Sequence, residues 1–180
     1  MKLMFASDIH GILSGCENTL KAYEREKADR LILLGDLLYH GPRNGVPEGY
    51  DPVKVIDLLN GAKENILCVR GNCEAEVDQM VLEFPVLADY AMVMTEDHTF
   101  YCTHGHLFTK DKLPTMGKDD ILIYGHTHIQ IIEELSGHLT LNPGSVSLPK
   151  GGNPPTYMVY ENGTCTIKMM DGTPVQSVTL

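Results

Sequence analysis

Residues 3–11 read Leu3-Met4-Phe5-Ala6-Ser7-Asp8-Ile9-His10-Gly11: four apolar residues without a polar break, then an aspartate and a histidine two positions apart. An apolar run that does not alternate with polar residues marks a strand buried on both faces. The pattern recurs. Leu31-Ile32-Leu33-Leu34 leads into Gly35-Asp36, and Ile66-Leu67-Cys68-Val69 leads into Arg70-Gly71-Asn72-Cys73. Between the first two runs, Ser14-Gly15-Cys16-Glu17 predicts a capping box, and Leu20 with Tyr23 begins the inward face of a helix. Between the second and third, Asp51-Pro52 predicts a helix start, followed by Val55, Ile56, Leu58 and Leu59. Strand, helix, strand, helix, strand predicts a parallel sheet with right-handed crossovers.

The second half changes character. Tyr90 to Met94 and Thr99 to Cys102 flank the polar turn Thr95-Glu96-Asp97-His98, which predicts a hairpin. Ile121 to Tyr124 predicts a further strand, ending at Gly125-His126-Thr127-His128. Two more hairpins are expected about Ser136-Gly137-His138 and about Glu161-Asn162-Gly163. The whole is a mixed α/β layered domain spanning residues 1–180, without internal repeat, low-complexity segment or linker. Two segments are loop-like and long enough to carry function: Leu37 to Tyr50, and Asn142-Pro143-Gly144-Ser145 with the stretch from Lys150 to Pro155.

The 180 residues carry 14 Lys and Arg against 24 Asp and Glu, a net charge of −10, and no basic run. That balance argues against a polyanion-coating surface, so no strong nucleic-acid-binding surface is expected. The N-terminal segment turns polar too soon for an export signal, and no apolar stretch is long enough to span a membrane. Five cysteines without a Cys-x-x-Cys pair are expected as free thiols, which fits a cytoplasmic protein.

Taken singly, each polar cluster has a plain reading: Asp8 and His10 as a cap and a surface imidazole, Gly35-Asp36 and Gly71-Asn72 as turns, and a His-x-His pair as coincidence. Together they do not. Five strand ends each deliver Asp, His or Asn, and in an open α/β sheet the carboxyl ends of strands converge on one crevice. Burying two carboxylates, an amide and several imidazoles without a counter-ion is costly. Nitrogen and oxygen donors without thiolate suit Mn²⁺, Fe or Zn²⁺. Seven donors exceed what one ion can use while also holding substrate. Two ions about 3.5–4 Å apart sharing a carboxylate, for which Asp36 is the natural choice, could clamp both oxygens of a displacement at phosphorus.

In that order, Asp8-x-His10, Gly35-Asp36, Gly71-Asn72, His104 and Gly125-His126-x-His128 resemble the five-block signature of calcineurin-like metallophosphoesterases. With the Leu38-to-Asn44 loop and Asn142-Pro143-Gly144-Ser145, the chain is similar along its length to the small bacterial YfcE-type phosphodiesterases within that family. The resemblance implies a two-sheet β-sandwich flanked by helices. It places Asp8, His10, Asp36 and His128 on one metal, and Asp36, Asn72, His104 and His126 on the other. It also implies hydrolysis of a phosphodiester by attack of a hydroxide held at the dinuclear centre, with Mn²⁺ as the first choice of ion and Zn²⁺, Fe or Ni²⁺ as alternatives. Many members carry His after the Gly-Asn pair, where it helps the leaving group depart; here that position is Cys73, which the YfcE-like branch shares. A thiol is a poor substitute for imidazolium as a proton donor, so monoester hydrolysis is expected to be weak.

Asp36 and Cys73 are therefore the candidate catalytic residues, with a small filler as the plain alternative for Cys73. His40 and Arg43, in the loop after Asp36, are candidate phosphate contacts, against a solvated loop face. His106 is a candidate substrate contact or a partner of His104. His98 and His138 are expected on the surface. The rivals to a phosphodiesterase are a phosphomonoesterase, acting on phosphoproteins or nucleotides, and a non-catalytic protein-binding scaffold like retromer's metallophosphoesterase-like subunit. A homo-oligomer is left open.

Overall fold

Strand β1 (Lys2–Ala6) explains its own unbroken apolar run. Leu3 and Phe5 face one layer of the molecule and Met4 and Ala6 the other, and all four are fully buried. The computed structural model describes residues 1–42, 45–108 and 112–180. β1 pairs in parallel with β2 (Arg30–Leu33), which pairs in parallel with β3 (Ile66–Cys68). Helix α1 (Leu13–Glu26) connects the first pair and α2 (Pro52–Gly61) the second, as the sequence pattern predicts.

The starts of the two helices differ. Asp51 caps α2, its carboxylate accepting from the Lys54 backbone N–H at 3.2 Å, with Pro52 in the first turn. The capping box expected at Ser14 is absent from α1, which opens two residues earlier with Ile12 at the cap position and no side-chain cap. Backbone does that work instead: Leu13 N–H donates to the Gly49 carbonyl at 3.0 Å, and Ile12 bridges to Tyr50. The long loop thus supplies what a side chain usually would.

A third helix, α3 (Glu76–Val81), has Val77, Met80 and Val81 at helical spacing, but all three are exposed, so this stripe faces no core. The remaining strands are β4 (Tyr90–Met94), β5 (Thr99–Thr103), β6 (Ile121–Ile123), β7 (Gln130–Leu135), β8 (His138–Pro143), β9 (Thr156–Glu161), β10 (Thr164–Met169) and β11 (Pro174–Thr179). The three expected hairpins are the antiparallel pairs β4–β5, β7–β8 and β9–β10. β11, an edge strand exposed along most of its length, was not foreseen because it buries no face.

Two sheets result, in the orders β11-β10-β9-β1-β2-β3 and β4-β5-β6-β8-β7. Between them lie Leu3, Phe5, Ile32, Leu34, Phe100, Cys102, Ile121, Ile123 and Leu141, with the Phe5 and Phe100 rings 5.4 Å apart. Each fully buried side chain of this size contributes roughly 1.5–3 kcal/mol. The opposite face of the first sheet packs Met4, Leu31, Leu33, Tyr157 and Val159 against α1 and α2. This is the helix-flanked two-sheet sandwich that the resemblance implies. All five cysteines are free thiols. His98 and His138, expected on the surface, are half-buried; His98 meets the Tyr160 ring edge-on at 6.2 Å.

One buried charge ties these layers together. At the end of α1, Glu26 accepts from Lys168 Nζ at 2.9 Å and from the Tyr157 hydroxyl at 2.7 Å, and pairs with Lys2 Nζ at 3.0 Å. Burial opposes its ionisation, but Lys168, Tyr157 and Lys2 outweigh burial and hold its pKa at about 2. A depressed carboxyl contributes stability above its unfolded pKa and loses it as pH falls through the folded value. Glu26→Gln should therefore lower the urea midpoint at pH 7, and the gap to the parent should narrow between the ordinary carboxylate range and about pH 2. A gap of constant size across that range would assign Glu26 to packing alone.

Candidate metal centre

Every residue singled out by the strand-end pattern stands just beyond a strand. Asp8 and His10 follow β1, Asp36 follows β2, Asn72 follows β3, His104 follows β5, and His126 and His128 follow β6. β1–β3 lie in one sheet and β5–β6 in the other, each group parallel, so the carboxyl ends of both sheets meet at one edge of the sandwich.

The chain reaches this arrangement at a conformational cost. Asp8, His10, Asp36, His126 and His128 all have positive φ, between 53° and 65°. Asp and His tolerate the left-handed region better than branched residues, but each such residue still carries strain, which a fold retains where it serves a site. Close approach of the loops adds a second demand. A Cβ on Gly71 would run into the Asp36 carboxylate, and one on Gly35, whose φ is +92°, would lie 2.5 Å from the Gly71 nitrogen.

Three imidazoles are anchored alike. Nδ1–H of His10 donates to the Tyr39 carbonyl at 2.8 Å, that of His104 to Leu34 at 2.6 Å, and that of His128 to Leu148 at 2.6 Å. An Nδ1 proton engaged in this way leaves Nε2 as the ligating nitrogen of a neutral ring. His10 Nε2 and His128 Nε2 stand 3.3 Å apart, and both are within 3.5 Å of Asp8 Oδ1, a buried oxygen with no hydrogen bond. On the other side, His104 Nε2 is 3.1 Å from Asn72 Oδ1, 3.2 Å from His126 Nδ1 and 3.4 Å from Asp36 Oδ1. Acceptor atoms facing one another this closely require cations or protons between them. Among the described residues, three groups have ligand atoms mutually close enough to hold an ion: Asp8-His10-His128, Asp36-His104-His126 and, between them, His10-Asp36-Cys73. The hard oxygen and imidazole donors fit divalent transition metals.

Protons answer the same demand. Burial works against the imidazolium of His104, yet Asp36 and Asp8 outweigh it and raise its pKa to about 9. His10 is raised as well: burial opposes, and Asp8 and the Tyr39 carbonyl prevail. Asp8 and Asp36 are correspondingly held below the usual carboxylate range despite burial, Asp8 by His10 and His128 and Asp36 by His104. His126 is lowered by burial and by the charge of His104.

Residues outside the proposed ligand set brace this cluster. Glu74, buried, accepts from the backbone N–H groups of Asp36 at 2.9 Å and Leu37 at 2.7 Å, and also from Gly71. It thereby locks the Asp36 turn to the Asn72 turn. Ser145 Oγ donates to the Asp8 carbonyl at 2.9 Å, and Asn142 Nδ2 to the Gly125 carbonyl at 2.7 Å, which gives the Asn142-to-Ser145 loop its role. The only signal for Glu74 was its position directly after Cys73.

The weaker candidates separate. Cys73 belongs to the cluster: its N–H donates to Asp36 Oδ1 at 2.9 Å, and its sulfur lies close to ligand atoms of His10 and Asp36. Burial, then Asp36, push its thiol pKa well up, so it is protonated at neutral pH. His106 stands beside the cluster, its ring 5.4 Å from that of His104 and 6.4 Å from that of His126. Burial and the charges of His104 and His126 lower its pKa to about 4. His40 packs instead between Tyr39 and Tyr50, at 4.7 and 5.1 Å. Arg43 lies outside the described residues.

A two-sheet sandwich that gathers carboxylates, an amide and imidazoles at its strand ends, around converging acceptors, defines a protein of the metallohydrolase class. The chain belongs to the calcineurin-like phosphoesterase superfamily, whose domain model matches residues 1–164. It is 48% identical to the phosphodiesterase YfcE of Escherichia coli (strain K12) over 167 residues, 93% of this chain and 91% of that one. A solved structure of YfcE, a phosphoesterase from E. coli, superposes with a TM-score of 0.95 at 46% identity, covering 99% of both chains. Vacuolar Protein Sorting 29 from Cryptosporidium parvum is similar in fold alone, with a TM-score of 0.62 at 17% identity over 99% of this chain and 98% of that one.

Proposed function

We propose that the chain is a metal-dependent phosphodiesterase whose residues 1–180 work as one metallophosphoesterase domain. One divalent ion would be held by Asp8, His10, Asp36 and His128, and a second by Asp36, Asn72, His104 and His126. The observation that carries this reading is the reach of Asp36. Its Oδ2 lies 3.6 Å from His10 Nε2 and its Oδ1 3.4 Å from His104 Nε2, so a single carboxylate serves both halves of the cluster. Bound divalent ions supply Lewis-acid chemistry: they acidify water and offset the charge that builds on phosphoryl oxygens.

The chain's own residues do the rest. The Tyr39, Leu34 and Leu148 carbonyls fix three imidazoles in the ligating tautomer, so little reorganisation is left for the reaction. Glu74 holds the two turns that carry Asp36 and Asn72 at a fixed separation. His106, neutral at pH 7, offers a hydrogen-bonding group beside the second half. Cys73 stands at the edge of the site as a neutral thiol, a weak general acid for an unactivated leaving group.

Mn²⁺ is the ion proposed for assay, on the strength of the nitrogen and oxygen donor set. The five free cysteines suit the cytoplasm, and among the described residues no helix is long and apolar enough to cross a membrane. The net charge of −10 speaks against nucleic acid as a broad surface ligand. A scaffold reading leaves the converging acceptors without a purpose.

The test is a pair of substrates on Mn²⁺-loaded protein, bis(4-nitrophenyl) phosphate and 4-nitrophenyl phosphate. The diester should have the higher kcat/KM, and Cys73→His should move the ratio toward the monoester. A positioned acid contributes roughly 10²–10⁴-fold, of which an unsupported imidazole would recover only part. A monoester preference in the parent would favour the phosphomonoesterase reading, and no hydrolysis of either would favour the scaffold.

A further inference from the structure

A groove of about 510 Å³ opens directly beside the cluster and shares Asn72 and Cys73 with it. Asn72 and Cys73 form its inner end, so any group bound to the ions through phosphate has this groove as a neighbour. Tyr39, Pro42 and Tyr50 form one wall; Val77 of α3 stands on the other. The tyrosine wall is braced. Its rings are wedged by His40, which contacts both, and Tyr50 also packs against Gly11 and bridges to Ile12. Tyr39 is 40% exposed and Val77 61%, so both have apolar surface left to bury against a ligand.

Charge sharpens the reading. Among the described residues, no Lys or Arg lines the groove, and its acidic members are Glu74 and Asp78. The Glu74 carboxylate is committed to three backbone N–H groups, and Asp78 accepts from Ala75 N–H at 2.8 Å. A second phosphate or a carboxylate on the substrate would meet the Asp78 carboxylate there, whereas a flat apolar group would meet aromatic faces and aliphatic carbon.

We infer that this groove is a subsite for an uncharged aromatic ester substituent of the diester, and that it selects against substrates bearing a second anion on that substituent. The inference rests on the phosphodiesterase reading for its location and names the substrate class for it. Orientation would come from the phosphate at the ions, and affinity from ring burial between Tyr39, Tyr50 and Val77.

The experiment measures binding to Mn²⁺-loaded protein by calorimetry, using dimethyl phosphate, methyl phenyl phosphate and methyl 4-carboxyphenyl phosphate. Burying one phenyl ring should tighten binding about tenfold over dimethyl phosphate. The carboxylate should cancel that gain. Tyr39→Ala and Val77→Asp, both at exposed positions, should bring the phenyl-to-methyl ratio below about threefold, while Tyr39→Phe should keep it. Equal affinities for the methyl and phenyl esters in the parent, or a ratio that survives both Tyr39→Ala and Val77→Asp, would overturn the subsite. The readout is a ratio of affinities and needs no turnover. A tenfold ratio in a protein that hydrolyses no diester would therefore sink the phosphodiesterase reading and leave the subsite standing.

Discussion

Asp36→Asn should abolish nearly all diester hydrolysis, whereas His40→Ala should leave most of it. The contrast follows from where the two side chains stand. Among the described residues, Asp36 is the one carboxylate paired with both His10 and His104, at 3.6 and 3.4 Å. Asparagine keeps the shape and accepts the left-handed φ of 56° that this position demands, so the backbone should survive. It removes a full negative charge and replaces one acceptor oxygen with a donor that would point at an imidazole or an ion. Both halves of the site lose a ligand at once. Removing a group that merely supports a ligand typically costs about 10–100-fold; the loss of a shared ligand should exceed that. His40 packs between two tyrosines, outside the converging acceptors, so its removal should cost no more than about tenfold, an effect within the range of a positioning contact. Metal content, measured on both purified variants, should fall for Asp36→Asn and hold for His40→Ala. A comparable loss in His40→Ala with metal intact would move the loop into the primary machinery.

The site was legible because strand ends are legible. Unbroken apolar runs such as Leu31 to Leu34 fix where a strand stops, and the polar residue that follows is then known to stand at the sheet's edge. The hard part for sequence reasoning was the layer in which each run belongs. Periodicity does not distinguish β5 and β6, in the second sheet, from β1 to β3, in the first; only the family resemblance supplied the sandwich. Local chemistry failed where backbone replaced side chain. Ser14 and Glu17 have the spacing of a capping box, yet the Gly49 carbonyl takes the first N–H of α1, because the long loop folds back onto the helix start. Glu74 was passed over for a similar reason. A carboxylate that accepts backbone N–H groups from two distant turns has no spacing signature. Its partners, Asp36 and Leu37, are remote in sequence and become neighbours only when β2 pairs with β3. The groove beside Cys73 is the same case: Tyr39, Tyr50 and Val77 share no pattern, and meet because the loop after β2 and the start of α3 flank one strand end.

Exhaustive chelation should eliminate activity and Mn²⁺ should restore it, with a pH dependence set by competition between metal and protons. Without metal, the two buried aspartates satisfy themselves with imidazolium. His10 is raised above its ordinary value and His104 to about 9, each against the opposing effect of burial. Both must be neutral to ligate, so metal uptake near pH 7 must expel the proton that His104 holds. The sign is fixed by that exchange. A group with a raised pKa binds its proton throughout the range below it, so metal affinity should climb as pH rises toward about 9 and then level off for His104. Competition for this residue should thus persist through neutral pH, beyond the window of an ordinary histidine. His126, lowered by burial and by the charge of His104, should add nothing to it above neutrality. Two measurements check the argument. Calorimetry of Mn²⁺ binding at pH 7, in buffers of different ionisation heat, should show net proton release. The acid limb of diester hydrolysis should move to lower pH when Mn²⁺ is raised tenfold, by about one unit where one proton is displaced per ion bound and by about half a unit where two are. An acid limb that ignores metal concentration would show that some other group, protonated on the substrate side of the site, sets the pH dependence. Full activity in protein stripped of metal would remove the ions from the reaction altogether and leave the facing acceptors of Asp8, His10 and His128 to be explained by protons alone.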